Sequence, residues 1–384
     1  MSLPPAALPD AGCPPPFRAR VERYTNQGGL IGAFTYALTV LETDDETLAA
    51  TTASIPTNLF VTSSLHDDAI DESGDWNAAD RKRRLNERIT LGDLVFTNVV
   101  EAVRSLPADA DLTPVLETVR QIGRGQLAED HLEPSTATLE DAVARVDARG
   151  AVWGDLAVAL VDAVADYSET QCEMLRRLTR NGMFVLTVVD DVEDLPADVA
   201  NGVANVPRAL YDGDLSTRES PAAVVDAFLG SDAPDRLEAI LAERRTALGA
   251  DARAFAATLD RPETDVLAAV RRALSWYCDT VCSVPVEATV PPERQRRVRA
   301  QLAGDEASTR RTLAAAVAEL PLETGSLPVD LDAVIDTVVE LPAAPLADVL
   351  SMVTHVATIA DDVMSTSLAD ALDVLERRAS TPQS

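Results

Sequence analysis

The chain has 384 residues and carries 63 acidic against 33 basic side chains, which gives a formal net charge of −30. Such an excess of acid argues against binding to nucleic acid or to an anionic membrane surface, because both need a basic face. Apolar residues make up 46% of the chain, which excludes wholesale disorder. Lys82 is the only lysine, and acid excess with almost no lysine is typical of a protein that stays soluble in concentrated salt.

The composition also bears on where the protein resides. No apolar run approaches the ~20 residues of a membrane-spanning helix, so we expect no transmembrane segment. The first residues lack the charged start and apolar core of a secretory signal. The four cysteines fit reduced thiols. Together these features predict a cytoplasmic protein.

Beyond residue 16 the pattern is helical, because alanine, leucine, valine, glutamate and arginine dominate and apolar residues recur at helical spacing. No stretch alternates like a strand, so the sequence predicts an all-α protein. In chain order, the predicted helical segments are 43–70, which Pro56 should kink or divide, then 91–106, 112–132 and 138–178. The predicted linkers are 107–111, 133–136, 195–207, 212–221 and 290–292.

Proline content and the last linker suggest three segments. Residues 1–16 are proline-rich and should form a flexible lead-in. We expect one large helical domain over 17–290. Residues 291–384 continue the helical pattern, and we expect these additional C-terminal helices to pack on the same domain.

Two aspartate motifs stand out from the acidic background. The chain contains four Asp-Asp pairs, about the number that chance provides, but two of them gain a third aspartate. These are "DDAID" at 67–71 and "DDVED" at 190–194. In a helix the first and last aspartate of each motif lie on one face.

The residues before each motif are mostly apolar, so the acids come directly after helices that should be buried. A buried carboxylate without a partner is costly. Two opposed faces of carboxylate oxygens would suit Mg²⁺ together with a phosphorylated substrate. The alternative is that both motifs are solvated helix ends of a salt-adapted protein.

At these residues the sequence resembles the trans-polyprenyl diphosphate synthases, such as farnesyl and geranylgeranyl diphosphate synthases. The resemblance is carried by "LHDDAIDE", "ITLGDLVFTNV", "GRGQLAED" and "DDVEDLPADVANGVANVPRAL", which occur in the order of that family's motifs. It implies an all-α isoprenoid-synthase-type helical bundle. It also implies Mg²⁺-dependent ionisation of an allylic prenyl diphosphate and condensation with isopentenyl diphosphate, in a homodimer or in a heterodimer with a homologous synthase.

The resemblance assigns roles to particular residues. Catalytic aspartates would be Asp67, Asp68, Asp71, Asp190, Asp191 and Asp194, and all of these except Asp191 would be metal ligands. The substrate diphosphate would be bound by Arg83, Arg84, Arg149 and Gln126. The basic run at 81–84 could equally be a surface counter-charge. The small residues Thr62 and Ser63, about one turn before the first motif, would leave a deep pocket for a long prenyl chain.

One segment departs from the family pattern. Leu30, Ile31 and Ala33 stand where the family has the cations that bind isopentenyl diphosphate. A diphosphate needs cations or oriented N–H donors. Two alternatives to an elongating prenyltransferase therefore stay open. One is an enzyme that acts on a single prenyl diphosphate, as a terpene cyclase or a diphosphate hydrolase, and the other is a non-catalytic partner subunit or prenyl-lipid binder.

Overall fold

The computed structural model describes residues 15–71, 77–129, 132–218 and 220–277, which are helical and contain no strand. The prediction of an all-α fold is confirmed. The flexible segment predicted before the first helix and the helices predicted over 291–384 lie outside the described residues, and the predicted domain limits stay predictions. None of the described helices has a stretch long and apolar enough to span a membrane.

The described helices follow one another with short connections. In chain order they are α1 (Pro15–Thr43), α2 (Glu46–Asp71), α3 (Ala78–Arg104), α4 (Thr113–Glu129), α5 (Leu139–Val146), a π-helical turn (Asp147–Ala151), α6 (Val152–Val164), α7 (Glu169–Glu193), α8 (Leu195–Asn201), α9 (Val206–Leu210), a 3₁₀ turn (Leu215–Thr217), α10 (Pro221–Leu229), α11 (Ala233–Ala256) and α12 (Glu263–Trp276).

Helix α6 forms the centre of the described bundle. Every residue from Val152 to Val161 is buried, and the helix contacts α1, α2, α4 and α7. Asp155 is the only charged residue in that run, and the guanidinium of Arg180 on α7 donates to both of its carboxylate oxygens at 2.6–3.0 Å. Helix α6 is apolar on all sides, which explains why other helices enclose it. The ion pair with Arg180 compensates its one buried charge.

The contacts of α6 also place the two motif-bearing helices. Phe60 of α2 packs edge-on against Trp153, with ring centroids 5.4 Å apart. On α7, Thr187 lies against Gly150, where an added Cβ would be 2.2 Å from its hydroxyl oxygen. Phe60 precedes Asp67 by about two helical turns, and Thr187 precedes Asp190 by about one. At a rise of about 1.5 Å per residue, the first aspartate of each motif therefore lies within about 10 Å, measured along its helix, of a contact with residues 150–153.

The structure excludes one of the two alternatives at Pro56 and corrects one predicted linker. Helix α2 is continuous through Pro56, so the proline does not divide it, although a proline removes one backbone hydrogen bond. Its packing between α1 and α3 supplies what local propensity does not. The prediction of a linker over 195–207 was wrong, because this stretch contains α8 and the start of α9. Gly202 ends the first in a left-handed conformation with φ 72°, and the Asn205 side chain caps the second.

Close packing of α6 on α7 makes Gly154 a sensitive position. A Cβ there would lie 2.4 Å from the Cβ of Thr179. We expect Gly154→Ala to lower the free energy of unfolding by about 1–3 kcal/mol, because one helix must shift.

The matched control is Gly123→Ala on α4, where an added Cβ meets no atom within 4 Å. This control should raise stability by about 0.5–1 kcal/mol, since alanine favours a helix interior more than glycine does. Urea unfolding followed by circular dichroism measures both, and a neutral Gly154→Ala would contradict the packing described.

Candidate functional site

The first motif occupies the last turn of α2, which ends at Asp71. The carboxylate of Asp68 is held from two sides. The hydroxyl of Tyr24 on α1 donates to its Oδ1 at 2.7 Å, and Nε of Arg88 on α3 lies 3.5 Å from its Oδ2. The Arg88 side chain is only 4% exposed. Asp67 is also half-buried, so the motif lies where α1, α2 and α3 meet.

The second motif occupies the last turn of α7. Asp190 is exposed, Asp191 is buried, and Asp194 is the residue at which α7 ends and α8 begins. The carboxylate Oδ1 of Asp191 lies 3.4 Å from a terminal nitrogen of Arg145 on α5. Both side chains of this ion pair are more than 90% buried. The other oxygen, Oδ2 of Asp191, is buried and accepts no hydrogen bond in the described part of the chain.

Carboxylates are crowded around the second motif. The pKa of Asp191 is raised to about 7, chiefly by burial; the charge of Arg145 opposes this shift, and the neighbouring Asp198 and Asp190 contribute to it. Burial also raises the pKa of Asp198 to about 6, against a 2.8 Å hydrogen bond from the amide of Asn205 and the charge of Arg145. A cation beside these carboxylates would therefore be strongly stabilised.

The donor atoms suit a hard divalent cation. Carboxylate oxygens at the ends of α2 and α7 are the ligands that Mg²⁺ prefers, and the excess of negative charge around Asp191 favours a cation. Among the described side chains, however, no three His, Cys, Asp or Glu are grouped closely enough to hold a metal ion by themselves. Oxygen atoms from a ligand would have to complete the coordination, as is usual for Mg²⁺ with phosphorylated substrates.

The predicted diphosphate-binding arginines differ in their placement. Arg83 is two-thirds exposed and pairs at 3.0 Å with Asp80 in the first turn of α3, as a surface counter-charge would. Arg84 is half-buried and lies one turn before Arg88, on the face of α3 that reaches Asp68. Of the two, Arg84 is the better placed for a ligand at the first motif.

The remaining two predicted contacts lie on neighbouring elements. Arg149 is half-buried in the π-helical turn. Gln126 is half-buried on α4, next to Gly125, whose added Cβ would lie 2.4 Å from the carbonyl oxygen of Ala148. This close approach brings the Gln126 turn of α4 against the turn that carries Arg149.

The predicted pocket residues differ as well. Thr62 is buried, and its hydroxyl donates to the carbonyl oxygen of Gly92 at 3.3 Å, so it belongs to the contact between α2 and α3. His66 lies against the same glycine. Ser63 is half-buried.

The segment that departs from the family pattern is packed into apolar clusters. Leu30 and Ala33 pack against the cluster that contains Tyr36 and Trp276. Ile31 packs against the cluster that contains Trp153. These three side chains have no donor groups, so they offer no side-chain hydrogen bond to a phosphate.

Sequence reasoning missed four residues that hold the aspartates, namely Tyr24, Arg88, Arg145 and Asn205. A signal was available for two of them. Arg88 occurs at helical spacing with the buried Leu91 and Val95, and Arg145 with the buried Ala142, three residues earlier. An arginine on an apolar face needs a carboxylate partner.

Comparison with solved structures identifies the fold. A heptaprenyl diphosphate synthase from Staphylococcus aureus is 15% identical, with a TM-score of 0.52, over 68% of this chain and 96% of that chain. A geranylgeranyl pyrophosphate synthase from Corynebacterium glutamicum, complexed with isoprenyl diphosphate and magnesium, is 16% identical, with a TM-score of 0.53, over 70% and 92%. A geranylgeranyl pyrophosphate synthetase from the archaeon Geoglobus acetivorans is 14% identical, with a TM-score of 0.52, over 72% and 93%.

The predicted isoprenoid-synthase-type bundle is therefore confirmed as the fold of this chain. No protein-family model and no curated protein matches the sequence. At identities this low, structural similarity establishes the fold and not the activity.

The raised pKa of Asp191 predicts how stability depends on pH in the metal-free protein. Its folded pKa of about 7 exceeds its ordinary value of 3.8, so between these values the folded state binds a proton that the unfolded state has lost. Stability from this group therefore falls as the pH rises through that window. Asp191→Asn removes the group, so its free energy of unfolding relative to wild type should rise by roughly 3 kcal/mol between pH 5 and pH 8.

Urea unfolding with EDTA, at constant ionic strength, measures this difference. The control is Asp141→Asn, which removes an exposed carboxylate whose pKa is lowered by its hydrogen bonds with Thr138. The stability that Asp141 provides is lost only at lower pH, so its difference from wild type should be flat over the same range. A flat difference for Asp191→Asn would contradict the burial of its charge.

Proposed function

We propose that this chain is a prenyltransferase of the polyprenyl diphosphate synthase kind, which ionises an allylic prenyl diphosphate and condenses it with isopentenyl diphosphate. The observation that carries the proposal is the pair of aspartate motifs at the ends of α2 and α7 in a bundle of this fold. In the similar structure from Corynebacterium glutamicum, isoprenyl diphosphate and magnesium are bound. The same ligands suit the carboxylates found here.

The chain's own residues would divide the work between charge and shape. Asp67, Asp71, Asp190 and Asp194 would hold the metal, whereas Asp68, which the resemblance also assigns to the metal, is held by Tyr24 and Arg88. Mg²⁺ would supply the positive charge that makes diphosphate a good leaving group. Arg84 and Arg149 would bind diphosphate oxygens, since each is half-buried on an element beside one motif.

The prenyl chain needs an apolar surface that excludes water. Phe60 and Trp153 pack together two turns before the first motif, in a cluster with Leu156 and Leu160. We place the prenyl chain against this cluster, next to Ser63. Exclusion of water there would protect a reactive cationic intermediate from hydrolysis.

A second candidate function is supported by the apolar packing of Leu30, Ile31 and Ala33. If no other group binds a second diphosphate, the enzyme would act on one prenyl diphosphate alone, as a cyclase or a hydrolase. A non-catalytic partner subunit is the third alternative, because the fold does not require activity.

We also propose that the protein is cytoplasmic and that two copies of the chain associate. Exposed apolar side chains on α3 and α4 are available for such a contact, namely Ile89, Phe96, Val100, Leu116 and Leu127. Sedimentation equilibrium in concentrated salt should give about twice the chain mass of 40.9 kDa. A mass of one chain would contradict the association.

The activity is tested with Mg²⁺, geranylgeranyl diphosphate and labelled isopentenyl diphosphate in concentrated salt. We expect the label to enter a longer prenyl chain. Asp67→Ala and Asp190→Ala should each lower the rate by about 100-fold or more, because each removes a carboxylate from the proposed metal site. Asp226→Ala, which changes an exposed aspartate on α10, should leave the rate unchanged.

The products distinguish the candidates. Release of diphosphate without isopentenyl diphosphate would support the single-substrate enzyme instead. If neither product forms and both aspartate variants behave like wild type in the cell, the catalytic proposals are wrong and the partner-subunit alternative gains support.

A further inference from the structure

The two aspartate motifs share an arrangement that their sequences do not reveal. In each, the second aspartate is held in an ion pair by an arginine from a neighbouring helix. Asp68 is 3.5 Å from Arg88, and Asp191 is 3.4 Å from Arg145. The two arginine side chains are 4% and 8% exposed. Arginines on the surface of this acidic chain are numerous, but these two are buried.

A second arginine lies about one turn away from each of these buried arginines. Arg84 lies four residues before Arg88 on α3, and Arg149 lies four residues after Arg145 across the π-helical turn. Arg84 and Arg149 are half-buried. Each arginine that contacts a motif aspartate therefore has a second arginine four residues away along the chain.

Arg88 and Arg145 are needed because the carboxylates around them are close together. Asp190 and Asp198 both act on Asp191, and Asp194 acts on Asp198. An unpaired buried carboxylate is costly, and like charges nearby add to the cost. Arg145 is the positive group that acts on both buried carboxylates, Asp191 and Asp198. On the first motif, Arg88 meets Asp68 together with the hydroxyl of Tyr24.

We propose that Arg88 and Arg145 are positioning residues for the two aspartate motifs. Each is a buried arginine that holds the second aspartate of its motif in an ion pair, and so fixes the end of the helix from which the other aspartates would reach the ligand. Each also offsets part of the motif's negative charge when an anionic diphosphate approaches. This inference rests on the proposed function, because it assumes that the motifs bind a metal ion and a diphosphate.

The proposal predicts opposite effects on cation and anion binding. Replacing Arg145 with glutamine removes one positive charge from the site and releases Asp191. Binding of Mn²⁺ alone should then tighten by about fivefold, and binding of inorganic diphosphate should weaken by about the same factor. General damage to the fold would weaken both, so the opposite signs separate positioning from a merely structural role.

The experiment measures Mn²⁺ binding by electron paramagnetic resonance and diphosphate binding by calorimetry, on the full chain. The matched control is Arg245→Gln. Arg245 on α11 is buried to the same degree, with 9% of its side chain exposed, and pairs with Glu238 of the same helix. This control should lose stability in urea unfolding while both affinities stay within about twofold of wild type.

Charge-balanced double variants complete the test. Arg145→Gln combined with Asp191→Asn should return both affinities to within about twofold of wild type, because the removed charges cancel. Arg88→Gln, alone and with Asp68→Asn, should behave in the same way at the first motif.

The outcomes separate the inference from the proposed function. Affinities that both weaken, or that do not move, in Arg145→Gln and Arg88→Gln would overturn the positioning role. Double variants that fail to recover would also overturn it. If the wild-type protein binds neither Mn²⁺ nor diphosphate, the proposed function itself fails, and the inference fails with it.

Discussion

The buried ion pair between Arg145 and Asp191 is the interaction on which the candidate site depends. It joins α5 to the last turn of α7 and compensates a carboxylate that has left water. The pair would be of little value on the surface, where such contacts contribute little to stability. In the interior, removing one partner leaves an uncompensated charge, which is why we propose that this pair positions the motif that contains Asp190 and Asp194.

The rest of the bundle packs the helices that carry Asp191 and Asp68, α7 and α2, against the same central helix α6. Helix α6 is enclosed by the helices around it, and residues 150–153 touch both α2 and α7. Glycines at 150 and 154 permit this approach, since a Cβ at either position would collide with a threonine of α7. A rigid apolar core of this kind can place charged groups accurately, because packed interiors deform little.

The helices and the aspartate motifs could be predicted from the sequence, and the contacts between helices could not. Apolar spacing and the third aspartate of each motif are local signals, and they indicate an all-α protein with two acidic helix ends. Pro56 was expected to kink or divide the helix because local propensity is unfavourable, but α2 continues through it with α1 and α3 packed on either side. Residues 195–207 were expected to be a linker, yet capping by Asn205 makes part of them helical.

Among the arginines, the sequence could not separate Arg83 from Arg84. Arg83 pairs with Asp80 on the surface, whereas Arg84, the next residue, shares the helix face of Arg88. Which of these faces is buried depends on how α3 packs against α2. Arg88 and Arg145 show why buried ion pairs are hard to predict, since their partners are distant in the sequence. The roles given to the aspartates and to Arg84 and Arg149 remain proposals.

The most direct measurement of the central claim is the position of the metal. Crystals grown with Mn²⁺ and a prenyl diphosphate would locate the ions by anomalous diffraction. The account predicts metal peaks bridged by the diphosphate between the aspartates of 67–71 and those of 190–194, with Asp68 and Asp191 still bound to their arginines. Peaks at only one motif, or elsewhere on the acidic surface, would contradict a single metal–diphosphate site built from both.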